Sequence, residues 1–226
     1  MQRSRYKYVS NLDHARWFQQ GKMFCRTAAY YRDYEDRKAM EVIGDQYEGT
    51  RLYRPLNGLE FNNLTQGTKG ILNAGMECLT HAHEIYVFCV SLSFNDVLKK
   101  EFAAVACVEI FDPAALHARW LAALPDAAKP HGQHVSRKVG YYRPEDLPGP
   151  VWALPDLITT TKLKQFAYQD EYRFAYTKTD AFGFENCTYN IVDRKTRPLA
   201  KPDEHLDETL EVGDLRDISR IHIFKS

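Results

Sequence analysis

The 226-residue chain has no excess of charge of either sign. Its 30 lysines and arginines equal its 30 aspartates and glutamates, so the formal net charge at pH 7 is zero. Proteins that coat nucleic acid over their whole surface are strongly basic, and that class is therefore excluded. A zero sum still allows a local basic patch.

Long apolar segments are also missing. The longest apolar run lies at residues 85–92 and is interrupted by Ser91, whereas a membrane span needs roughly 20 apolar residues. The first ten residues are charged and include no apolar stretch, so no secretory signal is expected. We expect a cytoplasmic protein that does not bind a membrane.

Cysteines are few, and none are spaced as Cys-x-x-Cys. Five cysteines, several of them inside apolar runs, indicate reduced structural thiols of a cytosolic protein. His81 and His83 have strand spacing, but no further cluster has the spacing of zinc ligands, so no metal site is expected. The chain also lacks a Gly-x-Gly-x-x-Gly or Walker loop, which argues against nucleotide binding by a Rossmann-type fold.

Aromatic residues are abundant, at 13%, and include 14 tyrosines and 12 phenylalanines. Such side chains build cores and also line pockets that stack on flat ligands. Hydrophobic residues at 44% and charged residues at 27% are ordinary for a globular protein and rule out disorder over most of the chain. No domain boundary is evident, so residues 1–226 are expected to form a single domain.

The hydrophobic pattern predicts an α+β fold around a mixed or antiparallel sheet. Helices are predicted over residues 12–20 and 113–123, and turns or a small hairpin within residues 57–75. Residues 190–209 are predicted to be irregular. Residues 125–155 hold six of the ten prolines and are interpreted as a long functional excursion with a strand at 135–142. Strands are predicted at residues 6–9, 22–27, 84–93, 103–111, 166–177 and 218–224.

A carboxamide and a carboxylate lie two residues apart on the predicted strand 166–177. Alternation places Gln169 and Glu171 on one face of that strand. The carboxylate can accept a hydrogen bond from a ribose hydroxyl and stabilise a developing positive charge, and the amide can orient a nucleophile. Taken alone, the triplet is more often an ordinary polar strand face.

Two further motifs carry polar groups on strands. Ser91 and Ser93 share one face at the end of the strand 84–93, which in isolation indicates only a strand leaving the core. Lys7 lies between two tyrosines near Arg5, and a cation flanked by rings can hold a phosphate. A solvated lysine on a first strand is the simpler alternative.

The order of these three motifs resembles the Arg–Ser–Glu signature of the mono-ADP-ribosyltransferase superfamily. The resemblance implies a split, mostly antiparallel sheet flanked by a few helices, and NAD as the co-substrate. It also implies that Glu171 is catalytic, that Gln169 positions the acceptor amine, and that residues 159–165 form a loop that contacts the target. The NAD pocket and its pyrophosphate contacts would be supplied by Lys7, Arg5, Arg26, Ser91 and Ser93.

The chain departs from the family pattern at three positions, of which Leu92 in place of Thr within Ser-x-Ser is minor. Lys7 stands where the family has Arg or His, and Arg5 on the same face is an alternative. Gln169 stands where arginine-modifying members have Glu, and in the family Gln goes with enzymes that modify carboxamides or exocyclic base amines. The resemblance therefore implies a target amide or nucleobase amine.

Residues 129–143 combine basic residues with tyrosines and contain no acid. This composition suits single-stranded nucleic acid, because charges follow phosphates while rings stack on bases. A solvated basic loop is the alternative. The predicted acceptor contacts are Arg137, Lys138 and Tyr141, together with Lys162 and Lys164 of the target loop. In the acid-rich residues 33–48, Asp45 or Glu48 is a candidate to border the pocket, although a charged surface loop is the favoured interpretation of the stretch.

We therefore expect a NAD-dependent transferase that attaches ADP-ribose to a nucleic-acid base, with RNA favoured over DNA. By resemblance, such an enzyme would be a toxin of a toxin–antitoxin or phage-defence system, held by an antitoxin protein. A protein-modifying ADP-ribosyltransferase is the alternative enzyme. A non-catalytic nucleotide-binding module and a structural partner protein without a pocket are alternatives of other classes.

Overall fold

The computed structural model describes residues 3–33, 45–149, 153–193 and 205–224. The strands are β1 (Arg5–Val9), β2 (Lys22–Thr27), β3 (Thr50–Tyr53), β4 (Leu59–Asn63), β5 (Thr68–Leu72), β6 (Ala74–Leu79), β7 (Ile85–Ser91), β8 (Ala106–Ile110), β9 (His134–Lys138), β10 (Gly140–Tyr142), β11 (Thr161–Leu163), β12 (Glu171–Thr177), β13 (Thr188–Asp193), β14 (Asp207–Glu211) and β15 (Ser219–Ile223). The α-helices are α1 (Leu12–Gln19), α2 (Ala28–Arg32), α3 (Asp96–Glu101), α4 (Pro113–Ala123) and α5 (Pro155–Thr159).

The central sheet has eight strands and antiparallel pairing throughout. Its path is β14-β2-β7-β1-β8-β15, while β12 lies on the other edge of β7 and pairs in turn with β9. Smaller sheets are β13-β6-β3, the hairpin β4–β5 and the parallel pair β10–β11. The predicted α+β class with a mostly antiparallel sheet and few helices is confirmed, as is the hairpin.

The strand β7 organises the sheet because three strands pair with it. On one edge, β12 follows it from Glu171 opposite Ser91 to Thr177 opposite Ile85. On the other edge, β2 pairs at Tyr86 and Val87, and β1 pairs at Ser91. The strands β1 and β2 therefore diverge along this edge, beside Phe88, Cys89 and Val90 of β7.

Local capping signals explain the predicted helices. Asn11 caps α1 by accepting a hydrogen bond from the N–H of Asp13, and Asp112 caps α4 in the same way from Ala115, with proline in the first turn. Gly21 follows α1 with φ +95°, and a Cβ there would lie 2.2 Å from the carbonyl oxygen of Gly213. Only glycine fits that position.

The core lies on both faces of the sheet. On one face, Phe88 and Phe174 pack with Phe18 of α1 and Trp120 of α4. On the other face, the smaller side chains of Val87 and Ala175 pack against α2. Among the described residues, no helix combines the length and hydropathy needed to cross a membrane.

The predicted strand 166–177 is wrong in its first half. Lys164–Gln169 form a 3-10 helix, and Asp170 has φ +41°, so the strand begins only at Glu171. The left-handed conformation is held by tertiary contacts, because the Asp170 carbonyl accepts from Leu92 N–H and its carboxylate accepts from Ser93. The alternation assumed for Gln169 therefore does not apply.

Two other predictions are corrected. Residues 135–142 form not one strand but parts of two, β9 in the central sheet and β10 in the parallel pair. The ends of the segment 190–209 are strands rather than irregular chain, because β13 pairs with β6 and β14 pairs with β2. Residues 194–204 of that segment lie outside the described residues.

Candidate functional site

A cavity of about 750 Å³ opens where β1 and β2 diverge from β7. This volume is within the range of small-molecule sites. Aromatic side chains from β1, α1, β2, α2 and β7 form much of its wall, among them Tyr6, Tyr8, Trp17, Phe24, Tyr30 and Phe88. Of the candidates taken from the sequence, the structure brings seven to this cavity: Lys7, Arg26, Glu48, Ser91, Lys162, Gln169 and Glu171.

Glu171 is the first residue of β12 and is 5% exposed. Its Oε1 accepts a hydrogen bond from Arg173 Nε at 2.6 Å, and its Oε2 accepts one from Lys162 Nζ at 3.0 Å. Burial alone would raise the pKa of Glu171, but the charges of Arg173 and Lys162 outweigh burial and hold that pKa well below its ordinary value. The carboxylate is therefore ionised at neutral pH.

Lys162 joins the carboxylate to the amide. Its Nζ donates to Oε1 of Gln169 at 3.0 Å as well as to Glu171. Burial would lower the pKa of Lys162, but Glu171 raises it above its ordinary value, so the side chain is an ammonium ion. One cation thus holds the two predicted catalytic groups side by side.

The predicted target loop, residues 159–165, is not a loop. It contains the end of α5, the strand β11 and the start of the 3-10 helix. Lys162 is 6% exposed and lines the cavity, so it lies in the cavity wall rather than in a loop. Lys164 is exposed.

Arg173 is a site residue that sequence reasoning missed. It is 1% exposed and binds both oxygens of Glu48, at 2.5 and 3.0 Å, while its Nε binds Glu171. The Glu-x-Arg spacing on a strand, which places both side chains on one face, is the signal that indicates it. The cavity wall therefore carries a buried chain of alternating charges, Glu48–Arg173–Glu171–Lys162.

Both acidic candidates of the segment 33–48 are buried rather than on a surface loop. Glu48 lines the cavity. Asp45 is beside it, and burial, followed by the neighbouring Glu48 charge, raises the pKa of Asp45 to about 6. Residues 34–44 lie outside the described part of the chain.

Ser91 and Ser93 hold the turn that carries Gln169. The Ser91 hydroxyl donates to the Gln169 carbonyl at 2.8 Å and accepts from the Ser93 N–H at 3.1 Å. The Ser93 hydroxyl donates to Asp170 Oδ2 at 2.6 Å. Ser91 lines the cavity, and both serines are bonded to the turn formed by Gln169 and Asp170.

The predicted phosphate-binding cations are in different places. Lys7 Nζ reaches the divergence of the strands, donates to Cys89 O at 2.8 Å and lies 4.3 Å from the Phe88 ring centre. The Arg26 guanidinium lies 3.9 Å from the ring centre of Tyr30. Arg5 is not in this cavity: it stacks over Tyr172 at 4.6 Å and borders a smaller cavity of about 300 Å³.

In the folded chain, basic side chains of the stretch 129–143 pair with carboxylates from other parts of the sequence. Arg137 pairs with Asp156 at 2.7 Å, and Lys138 pairs with Asp170 at 3.0 Å. The hydroxyl of Tyr141 accepts a hydrogen bond from Glu171 N–H at 2.8 Å. Tyr141 therefore supports the site from behind, and the charge that this stretch presents to a nucleic acid is smaller than its composition indicates.

The cysteine that lines the cavity is Cys89. Burial, reinforced by the charge of Glu171, raises the pKa of Cys89 to about 12, so the group remains a thiol at neutral pH. All five cysteines are unpaired. Within the described residues, no group of three or more His, Cys, Asp and Glu side chains is arranged to hold a metal ion.

No family model, curated protein or solved structure matches the chain.

Proposed function

We propose that the protein is a NAD-dependent ADP-ribosyltransferase whose acceptor is an amine or amide nitrogen of a nucleic-acid base. The observation that supports this most is the pair Glu171 and Gln169, a buried carboxylate and an amide held together by Lys162 on the wall of an aromatic cavity. The order of motifs along the chain, described above, supplies the reaction class.

The proposed transfer has a simple balance of atoms and electrons. The bond between the ribose anomeric carbon and the nicotinamide nitrogen breaks, and nicotinamide leaves with the bonding pair. The acceptor nitrogen supplies a new pair to the same carbon and releases one proton. Positive charge grows on the ribose ring between these events, and a fixed negative charge beside it lowers the barrier.

Glu171 suits the role of that fixed charge. Its lowered pKa keeps it ionised, and the same property makes it a weak base. The proton of the acceptor therefore passes to water rather than to Glu171. Arg173 and Lys162 hold the carboxylate in place before the reaction, so little reorganisation is needed when charge develops.

Gln169 suits the orientation of the acceptor. The Lys162 ammonium fixes the amide oxygen, and the Ser91 hydroxyl fixes the backbone of the same residue. A carboxamide held in this way has a defined orientation and adds no charge beside the acceptor. That property favours a neutral amine or amide over a guanidinium.

The rest of the cavity is compatible with a dinucleotide. Lys7 and Arg26 supply cations for a pyrophosphate, and the tyrosine, phenylalanine and tryptophan walls supply surfaces for two flat rings. The enzyme would modify nucleic acid in its own cell, which supports the further proposal that it is a toxin or phage-defence effector restrained by an antitoxin protein.

The test is transfer of label from radioactive NAD, with RNA, single-stranded DNA or total protein as separate acceptors. The main variant is Glu171→Gln, because Glu171→Ala would leave two buried cations without a partner and endanger the fold. A matched control is Glu109→Gln, which removes a carboxylate paired with Arg220 and His222 outside the cavity. We expect Glu171→Gln to lower the transfer rate by about 10² to 10³-fold and the control to retain it.

Each alternative gives a different result. Label found on protein alone would show that the acceptor is a protein and not a nucleic acid. NAD binding with no nicotinamide release, under any acceptor, would indicate a binding module. Label transfer at the wild-type rate by folded Glu171→Gln would refute the catalytic assignment.

A further inference from the structure

A second cavity borders the same end of β12 as the first. Glu171 and Tyr172 are successive strand residues, so their side chains point to opposite faces. Glu171 lines the large cavity, whereas Tyr172 lines the small one of about 300 Å³. The small cavity is completed by Arg3, Arg5, Leu92, Lys138 and Asp170.

The side chains of the second cavity carry more positive than negative charge. Three are cations, Arg3, Arg5 and Lys138, and one is a carboxylate, Asp170. Asp170 Oδ1 pairs with Lys138 Nζ at 3.0 Å, and its Oδ2 accepts from Ser93. Asp170 therefore balances one of the cations, and an excess of two positive charges lines the concave surface.

Arg5 is arranged to receive an anion. Its guanidinium lies over the Tyr172 ring, which fixes its plane, and its Nη1 donates to the Arg3 carbonyl at 2.7 Å. Its Nε is buried and has no hydrogen-bond partner within the part of the chain that the structure describes. A buried donor without an acceptor is unfavourable, and an oxygen of a bound anion would satisfy it.

We propose that this second cavity binds a phosphate of a single-stranded nucleic acid. A phosphate offers several oxygens to a planar guanidinium and to a lysine, and such contacts position a nucleic acid without reading its sequence. The cavity is open at its rim, where the Lys138 side chain is 62% exposed, so a phosphodiester within a longer strand can enter. This site explains Arg5 and Lys138 together, although they come from strands far apart in sequence.

The site would anchor the acceptor strand, a role that rests on the proposed function. The residues 170–172 join the two cavities, because Asp170 and Tyr172 border one and Glu171 borders the other. A strand anchored by one phosphate at the small cavity can present a base at the sheet end where Gln169 lies. The phosphate contact itself needs no NAD and can be measured without it.

The test is fluorescence anisotropy of a fluorescein-labelled 12-nucleotide oligouridylate titrated with the full-length protein at several KCl concentrations. The variants are Arg5→Gln and Lys138→Gln, and the control is Lys100→Gln on the exposed face of α3. We expect each cavity variant to weaken binding at least about fivefold and to reduce the slope of log K against log salt by about 0.7, the value for one phosphate contact. The control should bind as the wild type does.

Since Arg5→Gln changes a strand residue, thermal unfolding of each variant is measured first, and Lys138→Gln provides an independent reading from an exposed side chain. Wild-type affinity in both folded cavity variants, or an equal loss in Lys100→Gln, would overturn the proposal.

Inorganic phosphate is titrated as a competitor. If it displaces the strand only at concentrations far above those of the oligonucleotide, the strand is the ligand, whereas binding of phosphate without binding of the strand overturns the proposal.

The same protein preparations separate this inference from the proposed function. Nicotinamide release by the wild type without any acceptor reports on the large cavity alone. If the wild type releases nicotinamide and the Arg5 and Lys138 variants bind the strand normally, only the proposal of the second site is refuted. If the wild type never cleaves NAD but strand binding depends on Arg5 and Lys138, only the proposed transferase function is refuted.

Discussion

The ammonium of Lys162 lies 3.0 Å from Oε2 of Glu171, and the two side chains are 6% and 7% exposed. A buried pair of this kind is sustained only when further hydrogen bonds satisfy both groups, and here Gln169 and Arg173 do so. Removing either charge leaves the other without compensation. The residues proposed for catalysis are therefore also part of what holds the sheet end together.

Replacing Lys162 by methionine tests this dual role. Lys162→Met should lower the free energy of unfolding by about 3–5 kcal/mol, since it leaves part of the Glu171 charge unbalanced. Combining it with Glu171→Gln should cost less than the sum of the two single changes, because the double variant removes both charges. Urea unfolding of the four proteins measures the coupling. Additive effects would show that the pair does not interact as the distance indicates.

The Ser91 hydroxyl is predicted to act by positioning Gln169. Ser91→Ala leaves the Gln169 carbonyl without its donor and should cost about 1–3 kcal/mol of stability. It should also lower kcat for the proposed transfer more than it changes KM for NAD, since it loosens the turn that carries Gln169 and leaves Lys7 and Arg26 in place. Steady-state kinetics of folded protein measures the split. Ser4→Ala, which removes a hydroxyl bonded to Glu109, is the matched control, and a change confined to KM would contradict the positioning role.

Lys7 rather than Arg5 is predicted to contact NAD. Lys7 Nζ lies in the large cavity, and a charge-assisted hydrogen bond is worth about 1.5–3 kcal/mol, so Lys7→Met should raise the Kd for NAD by about tenfold or more. Isothermal titration calorimetry measures the effect. Lys69→Met, on the exposed hairpin strand β5, should leave the Kd as it is in the wild type. Equal affinity for NAD in the wild type and Lys7→Met would show that Lys7 does not contact the pyrophosphate.

Asp45 is predicted to make the protein less stable as the pH rises. Its folded pKa of about 6 is above its unfolded value of about 3.9, so its contribution to stability is present in full below pH 4 and is lost as the pH rises through 6. Asp45→Asn removes this dependence. The difference in free energy of unfolding between variant and wild type should therefore grow by about 2 kcal/mol from pH 4 to pH 8. Urea unfolding at several pH values measures it, and a constant difference would refute the raised pKa.

The parts of the fold that follow local rules could be predicted from sequence. The helix α1 lies between the Asn11 cap and Gly21, and β7 is a continuous apolar run that pairs on both edges. These features depend on residues within a few positions of one another, where capping, glycine conformation and hydrophobic period decide the outcome.

The candidate site could be predicted only in part. The motifs of Ser91 and Glu171 were recognisable in the sequence, and the strand register brings the two residues opposite each other. Arg5 and Lys7 share a face of β1, yet they serve different cavities, because the Lys7 chain extends into the divergence of the sheet while Arg5 stacks on Tyr172. Side-chain reach of this kind is set by neighbours from distant strands.

The sequence was sufficient to establish a neutral, aromatic-rich α+β chain with Lys7, Ser91, Gln169 and Glu171 as candidates, because composition and short spacings record these properties directly. Only the tertiary structure decided that Lys162 is buried, that Asp170 turns the chain before β12, and that Arg173 binds Glu48, which is 125 positions away. Buried charges depend on partners brought together by folding, and no local pattern specifies those partners.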